Sequence, residues 1–154
     1  MMFKTHFLFA LFISLITFNY FNLNPFYYVL ILVFSGILPD IDHSKSWIGK
    51  KLNLFSWLIN FIFGHRKFIH SIIFSSLIAI LIRIFFNDYW IPFYLGFISH
   101  LILDSLTKQG IYPFYPSNFK IHGLVKTNGL IEKLFLGFLV AVNVIYIFKF
   151  LRFF

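Results

Sequence analysis

Apolar residues occur in long runs along the chain, separated by short polar stretches. The longest runs cover residues 7–20, 26–38, 68–86, 90–106 and 130–154. A bilayer core accommodates about 20 mostly apolar helical residues, so these runs predict membrane-spanning helices. The apolar segment 52–63 follows a basic stretch at 44–51 and is short for a span; we expect an interfacial or re-entrant helix there. The pattern predicts an all-α, multi-pass transmembrane helical bundle with four to five spans, forming a single domain over residues 1–154.

The composition favours the same class of protein. Apolar residues make up 60% of the chain and charged residues 12%, against about 45–50% and 25% in soluble domains. A domain of this size buries only part of its surface on folding, so lipid is the better solvent for so many apolar side chains. The N-terminal run is not interpreted as a signal peptide, because the bulky residues Phe18, Asn19 and Tyr20 leave no small-residue cleavage site.

The positive charges indicate an orientation. The net charge is +8, but the 13 Lys and Arg residues are scattered between apolar segments, which favours contact with anionic lipid head groups over nucleic acid. With the N-terminus inside, ten of them lie on the inner side. The three on the outer side are Arg83, Lys149 and Arg152. The positive-inside rule therefore predicts a cytoplasmic N-terminus in the cell (inner) membrane.

The histidines and acidic residues are not scattered over this topology. Buried ionisable groups are costly in membranes and indicate functional sites, and the predicted spans bring most of these groups to the inner face. His100 and Asp104 are four residues apart, which places them on one face of a helix. The candidate metal ligands are His6, Asp40, Asp42, His43, His65, His70, His100 and Asp104.

Imidazole and carboxylate groups bind zinc, manganese or iron, and the absence of cysteine excludes thiolate ligands. We expect one to three divalent metal ions, with zinc as the leading candidate. Such ions polarise phosphoryl oxygens and generate hydroxide. A carboxylate among Asp40, Asp42 and Glu132 would act as the catalytic base, and Arg66 and Lys67 would bind a substrate phosphate.

Each of these residues also has a simpler interpretation. His6 could form only a hydrogen bond, Asp40 and Asp42 could be helix-end residues, and Glu132 could favour a helix N-terminus. Asp88 and His122 are expected to be solvated loop residues. A transporter or metal-handling protein could use the same His/Asp set, but its polar groups should cross the bilayer midplane. A structural protein with a metal staple is the third alternative, and the oligomeric state stays open.

The motifs also resemble a known family. They are Thr5-His6, Leu38-Pro39-Asp40-Ile41-Asp42-His43 with Ser46, Gly64-His65-Arg66 with His70-Ser71, and Ser99-His100 with Asp104, Thr107 and Gly110. This set resembles the membrane-bound metal-dependent hydrolases, also described as LexA-regulated inner-membrane hydrolases. That family is distantly similar to zinc-dependent phospholipase C and to single-strand nucleases with a His-x-x-x-Asp pair.

The resemblance implies a membrane-embedded metal-dependent hydrolase of phosphoesters, with a phospholipid or a lipid-linked phosphate as substrate. It matches the His-x-x-x-Asp pair to His100 and Asp104. The chain departs from the family pattern at Lys67, where relatives often have a small residue, and at Lys108-Gln109. Both departures leave the presumed ligands intact and bear on substrate fit.

Overall fold

The computed structural model describes residues 1–42 and 67–153. The α-helices in these segments are α1 (Phe3–Thr17), α2 (Pro25–Ile37), α3 (Ile72–Phe86), α4 (Trp90–Ser105) and α5 (Leu130–Leu151). Short 3-10 helices follow α1, α2 and α3 at Phe18–Tyr20, Leu38–Asp42 and Asn87–Tyr89. The described residues contain two isolated β-bridges and no β-strand, which confirms the all-α prediction. The interfacial helix predicted at 52–63 lies outside the described residues.

Local chemistry sets where several helices begin and end. Asn24 caps α2 by accepting hydrogen bonds from the backbone N–H groups of Phe26 and Tyr27. The Ser71 hydroxyl caps α3 by accepting one from the Phe74 N–H at 3.1 Å. Such caps satisfy donors that the first turn of a helix leaves unpaired. At the other end of α3, Asn87 adopts a left-handed φ of 51°, which interrupts the helix before α4 begins.

Within residues 1–42 and 67–153, three apolar helical runs are long enough to cross a membrane: Phe3–Tyr20, Ile72–Ser105 and Leu130–Leu151. The run Ile72–Ser105 contains both α3 and α4, and it folds back at Asn87. The rings of Phe74 and Phe97 show this, because their centroids are 6.0 Å apart, whereas a continuous helix would separate them by about 35 Å. The run Pro25–Asp40 is apolar but shorter. The prediction of four to five spans therefore stays a prediction.

Helix α4 lies at the centre of the bundle, where it contacts α1, α2 and α3, while α5 packs on α1. Glycine allows the closest approach, since a Cβ atom added at Gly96 would lie 2.1 Å from the Leu32 carbonyl oxygen on α2. A Cβ at Gly36 would similarly lie 2.5 Å from the Ala10 side chain on α1. Small residues at helix contacts are typical of membrane bundles, because they let backbones pack closely.

Polar side chains also fasten the bundle. The Asn143 amide on α5 donates hydrogen bonds to the carbonyl oxygens of Leu8 on α1 and Leu139, at 3.0 and 2.8 Å. The loop between α4 and α5 is tied to α3 by a 2.8 Å hydrogen bond from the Ile72 N–H to the Pro113 carbonyl. Side-chain contacts join the starts of α1, α3 and α5 to the ends of α2 and α4, and we call this the cluster end of the bundle.

Candidate metal centre

Four separate segments of the described chain contribute buried histidine and aspartate side chains at the cluster end. Helix α1 contributes His6, the 3-10 helix after α2 contributes Asp40, and His70 precedes the cap of α3. Helix α4 contributes both His100 and Asp104. Asp40 is 6% exposed, His6 is 1% exposed, and the other three are fully buried. The grouping that the apolar pattern predicts is confirmed for these five residues, and we refer to them as the metal cluster.

The nitrogen and oxygen atoms of the metal cluster face one another. His6 Nε2 lies 3.2 Å from Asp104 Oδ1, and His70 Nε2 lies 3.5 Å from Asp104 Oδ2. His100 Nε2 lies 3.7 Å from Asp104 Oδ2 and 3.9 Å from Asp40 Oδ1. Two groups of three residues share His100: His6 with His100 and Asp104, and Asp40 with His70 and His100. Within each group, the ligand atoms all lie within 4.8 Å of one another.

A backbone carbonyl determines the protonation of His100. Its Nδ1 lies 2.8 Å from the Gly36 carbonyl oxygen, and a carbonyl can only accept, so Nδ1 must carry the proton. In the neutral ring, Nε2 then presents a lone pair to the carboxylates of Asp104 and Asp40 and to His70 Nε2, which is 3.3 Å away. Two lone pairs repel unless a proton, such as one on His70 Nε2, or a metal cation lies between them. Outer hydrogen bonds of this kind orient metal-binding histidines in known sites.

The spacing fits a transition-metal ion. Ligand atoms about 2.0–2.1 Å from zinc at the corners of a tetrahedron lie roughly 3.3–3.4 Å from one another. The closest nitrogen–oxygen and nitrogen–nitrogen pairs of the metal cluster are 3.2 to 3.9 Å apart, and all ligand atoms within each group of three lie within 4.8 Å of one another. Because His100 offers one nitrogen and belongs to both groups, it can bind only one ion. The donor set and its dimensions therefore fit the predicted metal.

His6 is held against His100 by stacking. The two imidazole rings lie 3.8 Å apart, with their planes 12° from parallel. His6 Nδ1 is buried and has no hydrogen-bond partner among the described residues. The N-terminal ammonium group of Met1 contacts Asp104 Oδ1, the same oxygen that His6 Nε2 approaches. His6 thus directs Nε2 to the Asp104 carboxylate in a pocket closed to solvent.

Glu132 lies beside the metal cluster but outside both candidate ligand groups. One carboxylate oxygen accepts hydrogen bonds from the Met2 N–H at 2.6 Å and the Thr5 hydroxyl at 2.9 Å. The other accepts one from the Asn128 N–H at 2.6 Å. This fully buried carboxylate therefore ties the first turns of α1 and α5 to the preceding loop, and its predicted role as a base stays a prediction.

The remaining predicted site residues fall elsewhere. Lys67 is exposed. Asp42 ends the 3-10 helix Leu38–Asp42, but its side chain lies outside what the structure describes, as do His43, His65 and Arg66. Asp88 and His122 are exposed, as expected of loop residues.

Two contributors to the site have no signal in the residue pattern. Gly36 acts through its backbone carbonyl, and only its place in the last turn of α2, where carbonyls lack helical partners, could have suggested it. Thr5 donates a hydrogen bond to Glu132, which is distant in the chain. The position of Thr5 beside His6 in the Thr5-His6 motif is the one sequence feature that suggests this contact.

Buried histidine and carboxylate groups at one end of a bundle of apolar helices define an α-helical membrane protein with a candidate metal centre. Among the described residues, every buried histidine or charged side chain lies at this end. Comparison with known proteins agrees with this class. The chain belongs to the YdjM inner membrane protein family, whose family model matches residues 1–153.

Two relatives show how far the similarity extends. The uncharacterized protein YvsG of Bacillus subtilis is 34% identical over 120 residues, covering 72% of each chain. The inner membrane protein YdjM of Escherichia coli is 33% identical over 97 residues, covering 57% of this chain and 48% of that protein. The match thus spans about half the length of the Escherichia coli protein. No solved structure matches this chain. Family and helices together support an inner-membrane location.

Proposed function

We propose that this protein is a membrane-embedded metal-dependent hydrolase of phosphoesters, acting on a phospholipid or a lipid-linked phosphate. Its metal would be zinc, bound by the metal cluster at the cytoplasmic face, with the N-terminus inside. The observation that carries the proposal is the arrangement around His100, whose Nδ1–H is donated to Gly36 and whose Nε2 lone pair faces two carboxylates. A divalent cation would neutralise both carboxylates, which are costly to bury in a membrane without a partner.

The metal would supply the hydrolytic chemistry, by polarising a phosphoryl oxygen and lowering the pKa of bound water. The protein's own part is to orient the ligands and exclude bulk water. Gly36 fixes the ring of His100, and Glu132 holds α1 against α5 next to His6. Asp40, the most exposed of the five cluster residues, is the best placed to accept a proton from an attacking water. Arg66 and Lys67 would bind the phosphate.

A phosphoester bond is the favoured target for two reasons. The sequence motifs resemble those of metal-dependent hydrolases, and a divalent metal ion suits the charge that develops on a phosphoryl group. The lipid setting favours a substrate with an apolar tail, because the site adjoins helices that lie in the bilayer. These arguments support the substrate class and leave the particular lipid open.

The first test is the metal content of detergent-purified protein, measured by mass spectrometry. Wild type should carry stoichiometric zinc, manganese or iron, and His100→Ala and Asp104→Asn should lose it. His122→Ala is the matched control, because His122 is an exposed loop histidine that should not affect metal content. A circular-dichroism spectrum of each variant separates lost ligands from lost folding. Wild type that stays metal-free after incubation with each ion would refute the metal centre.

A second experiment separates hydrolysis from transport. Metal-loaded protein should release phosphate or a head group from phospholipid in mixed micelles, and Asp104→Asn should not. The transporter alternative predicts metal flux into proteoliposomes without turnover. A transporter would need polar groups that line a path across the bilayer. The buried amide N–H groups of Asn143 within α5 do not serve such a path, because they already donate hydrogen bonds to the carbonyl oxygens of Leu8 and Leu139. Metal binding with neither activity would favour a structural metal staple.

A further inference from the structure

A cavity of about 320 Å³ lies between α3 and α4, toward the end of the bundle opposite the metal cluster. It is lined by Ser76, Ala79, Ile80, Arg83, Trp90 and Tyr94. Arg83 lies in the last turn of α3 and Trp90 is the first residue of α4. About 15 Å of helix separates Trp90 from His100. The cavity is therefore distinct from the candidate metal centre.

The polar side chains of this cavity are all able to donate hydrogen bonds. The Arg83 guanidinium lies over the Trp90 ring, 5.6 Å from its centroid, and it has donors but no acceptor. Trp90 Nε1 is buried and has no hydrogen-bond partner among the described residues. The Ser76 hydroxyl donates to the Tyr94 hydroxyl at 3.5 Å, which leaves the Tyr94 hydrogen for another acceptor. What this cavity lacks is an acceptor.

No carboxylate lines the cavity. Asp88 lies in the turn between α3 and α4, but its side chain is exposed, and Arg83 forms no ion pair within the described segments. A buried N–H without an acceptor is costly in lipid, because no water is there to replace it. A ligand with negative charge and several acceptor oxygens, such as a phosphate, would pair with the exposed Arg83 guanidinium and with the Trp90 N–H.

We propose that this cavity binds the phosphate of an anionic membrane lipid. Arg83 lies about 4.5 Å before the end of α3, a depth at which arginine and tryptophan meet lipid head groups. Ala79 and Ile80 continue the wall toward the middle of the bilayer, where an acyl chain would lie. Basic pockets between membrane helices bind anionic head groups in this way. The proposal is independent of the metal centre and of hydrolysis.

The test is lipid retention, measured by native mass spectrometry on purified protein titrated with phosphatidylglycerol or phosphatidylethanolamine. Wild type should retain one phosphatidylglycerol with a clear preference over phosphatidylethanolamine. Arg83→Gln should weaken that binding by at least about tenfold, because a charge-assisted pair is lost. Trp90→Phe keeps an aromatic ring but removes the N–H together with the pyrrole part of the indole, so it should weaken binding by a smaller factor than the loss of the Arg83 charge.

Lys149→Gln is the matched control, since Lys149 is also a cation over an aromatic ring, 5.0 Å from the centroid of Tyr146, but it does not line this cavity. It should bind phosphatidylglycerol as wild type does. Equal metal content and equal thermal midpoints would show that Arg83→Gln and Trp90→Phe are folded. If the Arg83 and Lys149 variants bind alike, or wild type prefers neither lipid, Arg83 is an ordinary interfacial anchor and the proposal is wrong.

Discussion

Replacement of Gly96 by alanine is the sharpest perturbation of the contact between α2 and α4. The added Cβ would lie 2.1 Å from both the Leu32 carbonyl oxygen and the Ser35 Oγ. This is about 1.3 Å less than an ordinary contact. The Leu32 oxygen belongs to the α2 backbone and cannot rotate away, so the two helices must separate or tilt.

The size of the effect follows from two opposing terms. Overpacking of a tight contact costs about 1–3 kcal/mol, and the backbone clash places this site near the upper value. Alanine in place of glycine returns up to about 1 kcal/mol of helix propensity. The net loss of about 2 kcal/mol corresponds to a fall of roughly 4–8 °C in thermal midpoint for a chain of this length.

The same change should weaken metal binding. Helix α4 carries His100 one turn beyond Gly96, and α2 carries the carbonyl of Gly36 that bonds to His100 at 2.8 Å. Separation of the helices lengthens this bond, and the loss of such an outer hydrogen bond typically costs about 10–100-fold in metal affinity. Metal affinity would be measured by competition with a chelator of known affinity.

Gly137→Ala is the control, because a Cβ at Gly137 has nothing within 4 Å and the residue lies within α5. It should leave metal binding unchanged and keep or raise the thermal midpoint, measured by circular dichroism in detergent. If Gly96→Ala unfolds at or above the wild-type temperature, the close packing of α2 on α4 is wrong. If it is destabilised yet binds metal normally, the link from this contact to His100 fails.

Three further substitutions test other contacts. Asn143→Leu removes the hydrogen bond to Leu8 and should lower stability by about 0.6–1.7 kcal/mol, measured as a lower thermal midpoint. An unchanged midpoint would contradict the packing of α5 against α1 at this position. Ser71→Ala removes the cap on the Phe74 N–H and should cost about 1 kcal/mol in the same assay, whereas Ser71→Thr keeps the hydroxyl and should retain the cap. Glu132→Gln keeps the shape of the side chain but cannot accept hydrogen bonds from all three donors as a carboxylate does. We expect lower stability with metal content retained. Loss of metal from a folded Glu132→Gln variant would instead make Glu132 a ligand.

Hydropathy was enough to predict which polar residues lie together. Successive apolar helices reverse direction, so residues at the start of α1 and α3 and at the end of α2 and α4 must share one end. His6, Asp40, His70, His100 and Asp104 follow from that rule alone, without knowledge of which helices touch. The confirmed cluster is therefore a consequence of topology.

The contacts between particular helices could not be predicted in this way. These helices are apolar on nearly every face, and a helix that is hydrophobic all round gives no sign of which side is buried. Phe7 is exposed and Leu15 is buried on the same helix, although both are large apolar residues. The hydrogen bond from Asn143 to Leu8 and the role of the Gly36 carbonyl depend on helix rotation and adjacency, which only the packed structure defines.

The lengths of the helices have a consequence for the surrounding bilayer. Helices α2, α3 and α4 contain 13, 15 and 16 residues, or about 20–24 Å, whereas α5 with 22 residues extends about 33 Å. The hydrocarbon core is about 30 Å thick. Lipids beside the short helices must thin to match them, while those beside α5 keep their full thickness. The thickness of the surrounding lipid should therefore vary around the protein, and head groups should lie deepest beside α2 and α3.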